Sequence, residues 1–123
     1  MRAPSEENIK KWHSLLLKYL DVEKLDIDFN NIFEANETFD KWFSGYEINV
    51  YKNLIQRHLK TNKNKNCILY LNSSNNKEIY TYSEIDSLVK KLILEIDFEK
   101  LKKIAIIGSP GPATFISILA SAY

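Results

Sequence analysis

Residues 103–123 read KIAIIGSPGPATFISILASAY, and they carry the strongest indication of the fold class. After Lys103 the residues 104–107 form a continuous apolar run, which predicts a β-strand over residues 103–107 that is covered on both faces. A turn rich in glycine and proline follows at residues 108–112. Residues 113–123 predict a helix with almost no polar face, which is typical of a buried helix. A strand, a turn and a buried helix are the first part of a β-α-β unit, so we expect a mixed α/β fold that begins such a domain.

The preceding segment predicts a hairpin and an amphipathic helix. Two short runs, residues 67–71 and 78–82, are separated by a polar loop and favour a β-hairpin. Ser83 is the predicted N-cap of the helix, with Asp86 as its partner in a short capping box. The apolar side chains of this helix share one face, and they are Ile85, Leu88, Val89, Leu92, Ile93 and Ile96. A helix with such a face needs an apolar surface to pack against.

The first half of the chain is less regular. Ser5 predicts the N-cap of a helix whose apolar stripe is a packing surface. Residues 21–40 predict an arm that is anchored by single aromatic rings. A second helix is predicted from Asn49, as its cap, through Lys60. The stripe of the first helix is Ile9, Trp12, Leu16, Tyr19 and Leu20, the rings of the arm are Phe29, Phe33 and Phe39, and the apolar side of the second helix is Val50, Leu54, Ile55, His58 and Leu59.

Composition excludes several classes of function. The net charge is +1 with both signs interspersed over 123 residues, which gives no electrostatic reason to expect nucleic acid or an anionic membrane surface as a partner. Cys67 is the only cysteine, so an internal disulfide is impossible and a reducing compartment is expected. The sequence has no signal-peptide core and no apolar run long enough to span a bilayer. We therefore expect a cytoplasmic protein that has neither a membrane nor nucleic acid as a partner.

Few residues suggest chemistry, and each has a structural alternative. Residues 108–112 lie between a strand and a helix, where phosphate can bind, but two prolines remove backbone donors and favour a structural turn. Arg57 and His58 could suggest acid–base catalysis, but no activating partner is evident, which favours a structural or surface role. Cys67 is expected to fill space in an apolar strand. We expect a surface or boundary role for His13, and strand packing for Tyr80 and Tyr82.

Three blocks of sequence resemble one enzyme family. The first is WFSGYEINVYKNLIQRHL at residues 42–59, the second is YTYSEI at residues 80–85, and the third spans residues 104–123. In this order and spacing they are similar to the AMP-forming acetyl-CoA and propionyl-CoA synthetases of the adenylate-forming superfamily. The resemblance implies that residues 1–60 form the N-terminal extension typical of these synthetases. It also implies that residues 61–123 begin, but do not complete, the large AMP-binding domain.

The resemblance implies an acid–thiol ligase for the full-length family enzyme. ATP and a short carboxylate give an acyl-adenylate with magnesium present, and the thiol of coenzyme A then displaces AMP. The family motifs for this chemistry follow the part that resembles this chain, so we expect no catalytic, cofactor-binding or metal-ligating residue here and no activity from these 123 residues alone. The expected partner is the rest of the synthetase, or a second copy through the C-terminal helix. The alternatives are a parent enzyme specific for propionate or acetoacetate, a non-catalytic interaction module from a truncated gene, and a small nucleotide-binding regulator that uses residues 108–112.

Overall fold

The computed structural model describes residues 4–22, 32–36, 38–96, 100–101 and 103–123. The chain forms two compact units, Met1–Asn49 and Val50–Tyr123. The predicted boundary at residue 60, between an N-terminal extension and the large AMP-binding domain, refers to family domains rather than to these compact units. It stays a prediction.

The first unit begins with helix α1, Glu6–Tyr19. As predicted, the Ser5 hydroxyl is the N-cap and accepts a hydrogen bond from the backbone N–H of Asn8 at 3.3 Å. The stripe predicted for packing is not buried, since α1 contains no buried residue and Trp12 is 58% exposed. The amphipathic pattern therefore predicted the helix correctly, and its apolar side is partly covered among the described residues, where Ile9 and Leu16 are half-buried.

A small antiparallel sheet of β1, Phe33–Glu34, and β2, Lys41–Trp42, follows α1 in this unit. The Phe33 and Trp42 side chains are cross-strand partners with ring centroids 4.8 Å apart. The predicted arm is only partly anchored, because Phe39 is 81% exposed. Phe29 lies outside the described residues.

The turn after β2 explains part of the unusual sequence of the first family-like block. The backbone N–H of Tyr46 donates to the carbonyl of Phe43, and Gly45 adopts a φ of 85°, where glycine is favoured. Phe43 itself has a φ of 55°, which is uncommon for a bulky residue. The ring of Phe43 packs edge-on against that of Tyr46 at 5.8 Å. The aromatic residues therefore surround a tight turn that requires glycine.

The helix predicted from Asn49 through Lys60 is interrupted. Helix α2 covers Val50–Leu54, a 3₁₀ turn covers Gln56–His58, and helix α3 covers Leu59–Asn62. The break lies at Ile55, whose φ and ψ of −121° and −63° are not helical. The predicted apolar side is only partly buried: Ile55 is buried as predicted, whereas Val50 and Leu54 are 42% and 46% exposed, and Tyr51 is buried instead.

The predicted hairpin is present. Strand β3, Asn66–Leu71, pairs antiparallel with β4, Lys77–Thr81. The register is irregular between Asn66 and Ile68, as in a β-bulge. In the polar loop the side-chain oxygen of Asn72 accepts hydrogen bonds from the N–H groups of Ser74 and Asn76, each at 2.9 Å.

Helix α4, Tyr82–Glu95, begins earlier than predicted and has a different cap. The N-cap is Thr81 rather than Ser83, and Glu84 rather than Asp86 completes the capping box. The carboxylate of Glu84 accepts from the N–H of Thr81 at 2.7 Å, while the Thr81 hydroxyl accepts from the N–H of Glu84 at 3.3 Å. The longer side chain of Glu84 reaches the cap residue, and Asp86 is engaged elsewhere.

The predicted strand at residues 103–107 is absent. Residues 103–107 have no regular structure and are exposed, and Ile107 is 97% exposed. A strand needs a neighbour for its backbone N–H and C=O groups, and the two pairs of strands among the described residues leave this segment unpaired. The prediction of a strand covered on both faces is therefore wrong for this chain as it stands.

Helix α5, Pro112–Ser121, forms the last element and is only partly buried. Leu119 and Ala120 are inside, but Ile118 is 45% exposed. The core of the second unit comes from α2, the residue after it, α4 and α5, and its members are Tyr51, Ile55, Ile85, Val89, Leu119 and Ala120. The predicted mixed α/β class is compatible with this arrangement of helices and small sheets.

Candidate functional site

Tyr51, Asp86 and Lys90 form a polar cluster in the second unit. The hydroxyl of Tyr51 donates a hydrogen bond to Oδ1 of Asp86. The ammonium of Lys90 lies 2.9 Å from Oδ2 of the same carboxylate, one helical turn further along α4. Tyr51 is 2% exposed and the Asp86 side chain 13% exposed, so the carboxylate lies at the border of the core with both oxygens engaged.

The electrostatics of this cluster favour structure rather than catalysis. Burial, and then the hydrogen bond to Asp86, raise the pKa of Tyr51 well above its usual value. The hydrogen bond to Asp86 also raises the pKa of Lys90. At neutral pH Tyr51 is therefore a neutral donor and Lys90 a cation, and neither is poised to exchange a proton. The cluster joins α2 to α4.

Arg57 and His58 take part in separate contacts rather than in one catalytic pair. The guanidinium of Arg57 donates to the side-chain oxygen of Asn53 at 3.5 Å. The ring of His58 packs against that of Tyr82, with centroids 4.9 Å apart and planes tilted by 36°. Tyr82 is the first residue of α4 and not a strand residue, so its ring packs at a helix start. These contacts favour the structural alternative for Arg57 and His58.

The turn at residues 108–112 is built by internal contacts. The hydroxyl of Thr114 donates to the backbone carbonyl of Ser109 at 2.8 Å. The backbone of Gly111 runs beside the ring of Tyr70, where an added Cβ would lie 3.6 Å from the ring. Pro112 is the first residue of α5, so the first helical position has no N–H to offer a phosphate. The geometry favours a structural turn.

The remaining sequence candidates are in ordinary packing contacts. Cys67 is half-buried, and burial raises the pKa of its thiol, which disfavours the nucleophilic thiolate. In the first unit Nε2 of His13 lies 2.6 Å from the hydroxyl of Tyr46. Tyr80 belongs to β4 as predicted, and its hydroxyl donates to the carboxylate of Glu78 at 2.7 Å.

An open depression of about 320 Å³ lies beside the first turns of α4. Its lining residues are Tyr80, Ser83, Glu84, Ser87 and Leu88. The polar groups of the lining are partly used: Glu84 completes the capping box, and Ser87 donates to the carbonyl of Ser83 at 2.9 Å. The carboxylate of Glu84 repels phosphate, so a nucleotide does not suit this depression.

The described residues form neither a metal cluster nor a membrane-spanning helix. No three His, Cys, Asp or Glu side chains come together there as metal ligands do. Within the same residues, none of the helices is both long and apolar enough to cross a bilayer.

Sequence reasoning missed the Tyr51–Asp86 contact. One signal was available, because Asp86 and Lys90 are four residues apart on a predicted helix and oppositely charged. That pair marks Asp86 as a helix-face residue rather than a cap. Its buried partner, Tyr51, has no comparable signature, since a tyrosine two residues after a predicted cap is compatible with either side of the helix.

Comparisons with known proteins support the resemblance noted in the sequence. The chain is 33% identical to acetyl-coenzyme A synthetase of Wolinella succinogenes over 94 residues, which is 74% of this chain and 14% of that protein. It is 29% identical to the enzyme of the same name from Chlorobaculum tepidum over 117 residues, or 92% of this chain and 17% of that protein. A 56-residue stretch is 41% identical to the Helicobacter pylori enzyme and covers 8% of it. No protein-family profile matches the chain.

The similarity to acetyl-CoA synthetases predicted from three sequence blocks is thus confirmed. The chain spans less than one fifth of the length of the curated relatives it matches, the largest share being 17%.

Proposed function

We propose that this chain, which is similar to acetyl-CoA synthetases over most of its length, is a non-catalytic part of an AMP-forming acid–thiol ligase. The complete enzyme would activate acetate, or another short carboxylate, with ATP and Mg²⁺ and transfer the acyl group to coenzyme A. Propionate and acetoacetate remain alternative substrates of the parent enzyme. We place the protein in the cytoplasm.

One observation carries the proposal: the match extends over 92% of this chain but only 17% of the relative. The exposed residues 103–107 agree with it, because an apolar segment suited to a strand lacks a strand partner among the described residues. In the complete protein these residues would be a strand of the synthetase fold, and α5 would be the buried helix after it. Residues 1–60 would be the extension and residues 61–123 the start of the AMP-binding domain.

Two places that could hold a nucleotide do not suit the phosphates of ATP. The turn at residues 108–112 has a proline at the first position of α5, and the depression beside α4 carries the carboxylate of Glu84. The role of this chain would therefore be to complete the fold of the large domain, with the chemistry performed by the rest of the polypeptide.

An assay of the purified chain tests whether it is non-catalytic. The chain is incubated with acetate, ATP, Mg²⁺ and coenzyme A, and acetyl-CoA is measured by liquid chromatography. The Chlorobaculum tepidum enzyme in the same buffer is the positive control. We expect no acetyl-CoA above the blank from the chain alone, and turnover by the chain would refute the proposal.

A second candidate is a free-standing interaction module that binds a synthetase. The incompletely covered helix α5, with Ile118 45% exposed, favours it. A binding measurement distinguishes the two candidates. An interaction module would bind the complete Chlorobaculum tepidum enzyme, whereas a non-catalytic part of a ligase would bind only an enzyme that lacks the matching segment. The third alternative, a nucleotide-binding regulator, is tested separately by calorimetry with ATP and AMP. The absence of a measurable heat of binding would rule out this alternative.

A further inference from the structure

The hairpin of β3 and β4 has one covered face. The side chains of Ile68 and Tyr80, which are cross-strand partners, pack against the core of the second unit. Tyr70, two residues after Ile68 and therefore on the same side, has its ring beside the backbone of Gly111. This face is occupied by the chain's own elements.

The opposite face carries apolar side chains that are exposed. Leu69 pairs with Ile79, and Leu71 pairs with Lys77, so these four side chains point to the same side of the hairpin. Leu69, Leu71 and Ile79 are 55%, 58% and 43% exposed. We call this surface the outer hairpin face, defined by Leu69, Leu71, Lys77 and Ile79. A hairpin with one covered and one open apolar face is half of a layered arrangement.

We propose that the outer hairpin face binds an apolar segment of the rest of the synthetase, with a carboxylate of that segment opposite Lys77. This inference rests on the proposed function. The relatives provide ample additional chain, since the match covers only 17% of one of them. The chain's own core elements already lie on the other side of the hairpin.

Charge favours this occupant over a second copy of the chain. The outer hairpin face bears an ammonium group and no carboxylate among its four residues, so a copy packed face to face would supply leucines but no acid. A segment with an apolar face and one Asp or Glu would cover the three apolar side chains and pair with the ammonium group of Lys77.

Binding in trans tests the inference. The partner is the Chlorobaculum tepidum acetyl-CoA synthetase from which the segment matching this chain has been removed, called the shortened synthetase below. Its affinity for the full 123-residue chain is measured by biolayer interferometry, for the wild type and for Leu69→Lys and Ile79→Lys. We expect each substitution to weaken binding by about tenfold or more, because a charge replaces an apolar contact at the centre of the interface.

Leu94→Lys is the matched control, since Leu94 is 88% exposed on α4 and lies outside the outer hairpin face. Its affinity should stay within about twofold of the wild type. Circular dichroism is used to check that all three variants and the shortened synthetase are folded. Sedimentation of the wild-type chain and of Leu69→Lys, each without the synthetase, detects a second copy.

The outcomes separate the two proposals. If the wild type binds and the hairpin variants bind equally well, the proposed binding role of the outer hairpin face is refuted while the proposed function stands. If the wild type forms a dimer that Leu69→Lys dissociates, a second copy occupies the face and the inference is wrong. If the wild type fails to bind a folded shortened synthetase, the proposed function itself fails.

Discussion

The hydroxyl of Tyr51 donates a hydrogen bond to Oδ1 of Asp86, and this bond joins α2 to α4 across a separation of 35 residues. It accounts for two departures from the sequence-based expectation. Tyr51 is buried, although it is not among the residues of the predicted apolar side. Asp86 serves Tyr51 and Lys90 and therefore does not cap its own helix.

Removing the Tyr51 hydroxyl should destabilise the second unit. Tyr51→Phe leaves the Asp86 carboxylate with one partner fewer at the border of the core, and a hydrogen bond to a charged group is worth about 1.5–3 kcal/mol. We expect the free energy of unfolding in urea to fall by an amount in that range. Tyr80→Phe is the control, because its hydroxyl bonds Glu78 on the exposed hairpin, and it should change stability little. Equal effects of the two substitutions would argue against the Tyr51–Asp86 bond.

Stability should fall in alkaline solution because of the same cluster. The pKa of Tyr51 is raised by burial and by Asp86, and that of Lys90 by its hydrogen bond to Asp86. A group whose pKa is higher in the folded state contributes stability below its unfolded pKa and loses it as the pH rises further. Unfolded Tyr and Lys titrate near pH 10 (about 10 and 10.4), so the free energy of unfolding should decline above about pH 10.

The decline should be shallower in Tyr51→Phe than in the wild type, which urea unfolding at several alkaline pH values can measure. Identical slopes for the two proteins would contradict the assignment of this loss of stability to Tyr51.

The two possible caps of α4 make a direct comparison. Thr81→Ala removes the observed cap and should reduce the free energy of unfolding by about 1 kcal/mol. Ser83→Ala removes the cap predicted from sequence and should change it by less than about 0.5 kcal/mol. Both substitutions place alanine at neighbouring positions, so each is a control for the other. A larger effect at Ser83 would restore the sequence-based capping box.

Substitutions near the C-terminal end distinguish exposed from buried apolar residues. Ile107→Lys should leave stability within about 0.5 kcal/mol of the wild type, because Ile107 is 97% exposed. Leu119→Ala should cost about 2–5 kcal/mol, because Leu119 is fully buried in the core. Thermal and urea unfolding measure both. Substantial destabilisation by Ile107→Lys would mean that residues 103–107 are packed as the sequence predicts.

Local signals in the sequence predicted much of the fold. The cap at Ser5, the hairpin, and the central turns of α4 and α5 follow from side-chain chemistry and periodicity within a few residues. Local signals did not distinguish Thr81 from Ser83 as the cap of α4, because both residue types cap helices. The structure has Thr81 as the cap, and Asp86 bonds Tyr51 instead of a cap residue.

Features that depend on distant parts were predicted poorly. A break at Ile55 has no glycine or proline to mark it. The apolar run at residues 103–107 encodes a strand only if a neighbouring strand exists, and the described residues give it none. For Arg57, His58 and residues 108–112 the sequence favoured structural roles, and the structure places these residues in side-chain contacts and a turn.

Reconstitution of acetyl-CoA synthesis tests the central claim most directly. The purified chain, the shortened synthetase and an equimolar mixture are each assayed with acetate, ATP, Mg²⁺ and coenzyme A. We predict acetate-dependent acetyl-CoA from the mixture and none from either component alone. Synthesis by the chain alone, or a mixture no more active than the shortened synthetase, would contradict the claim that this chain completes an acyl-CoA synthetase without contributing its chemistry.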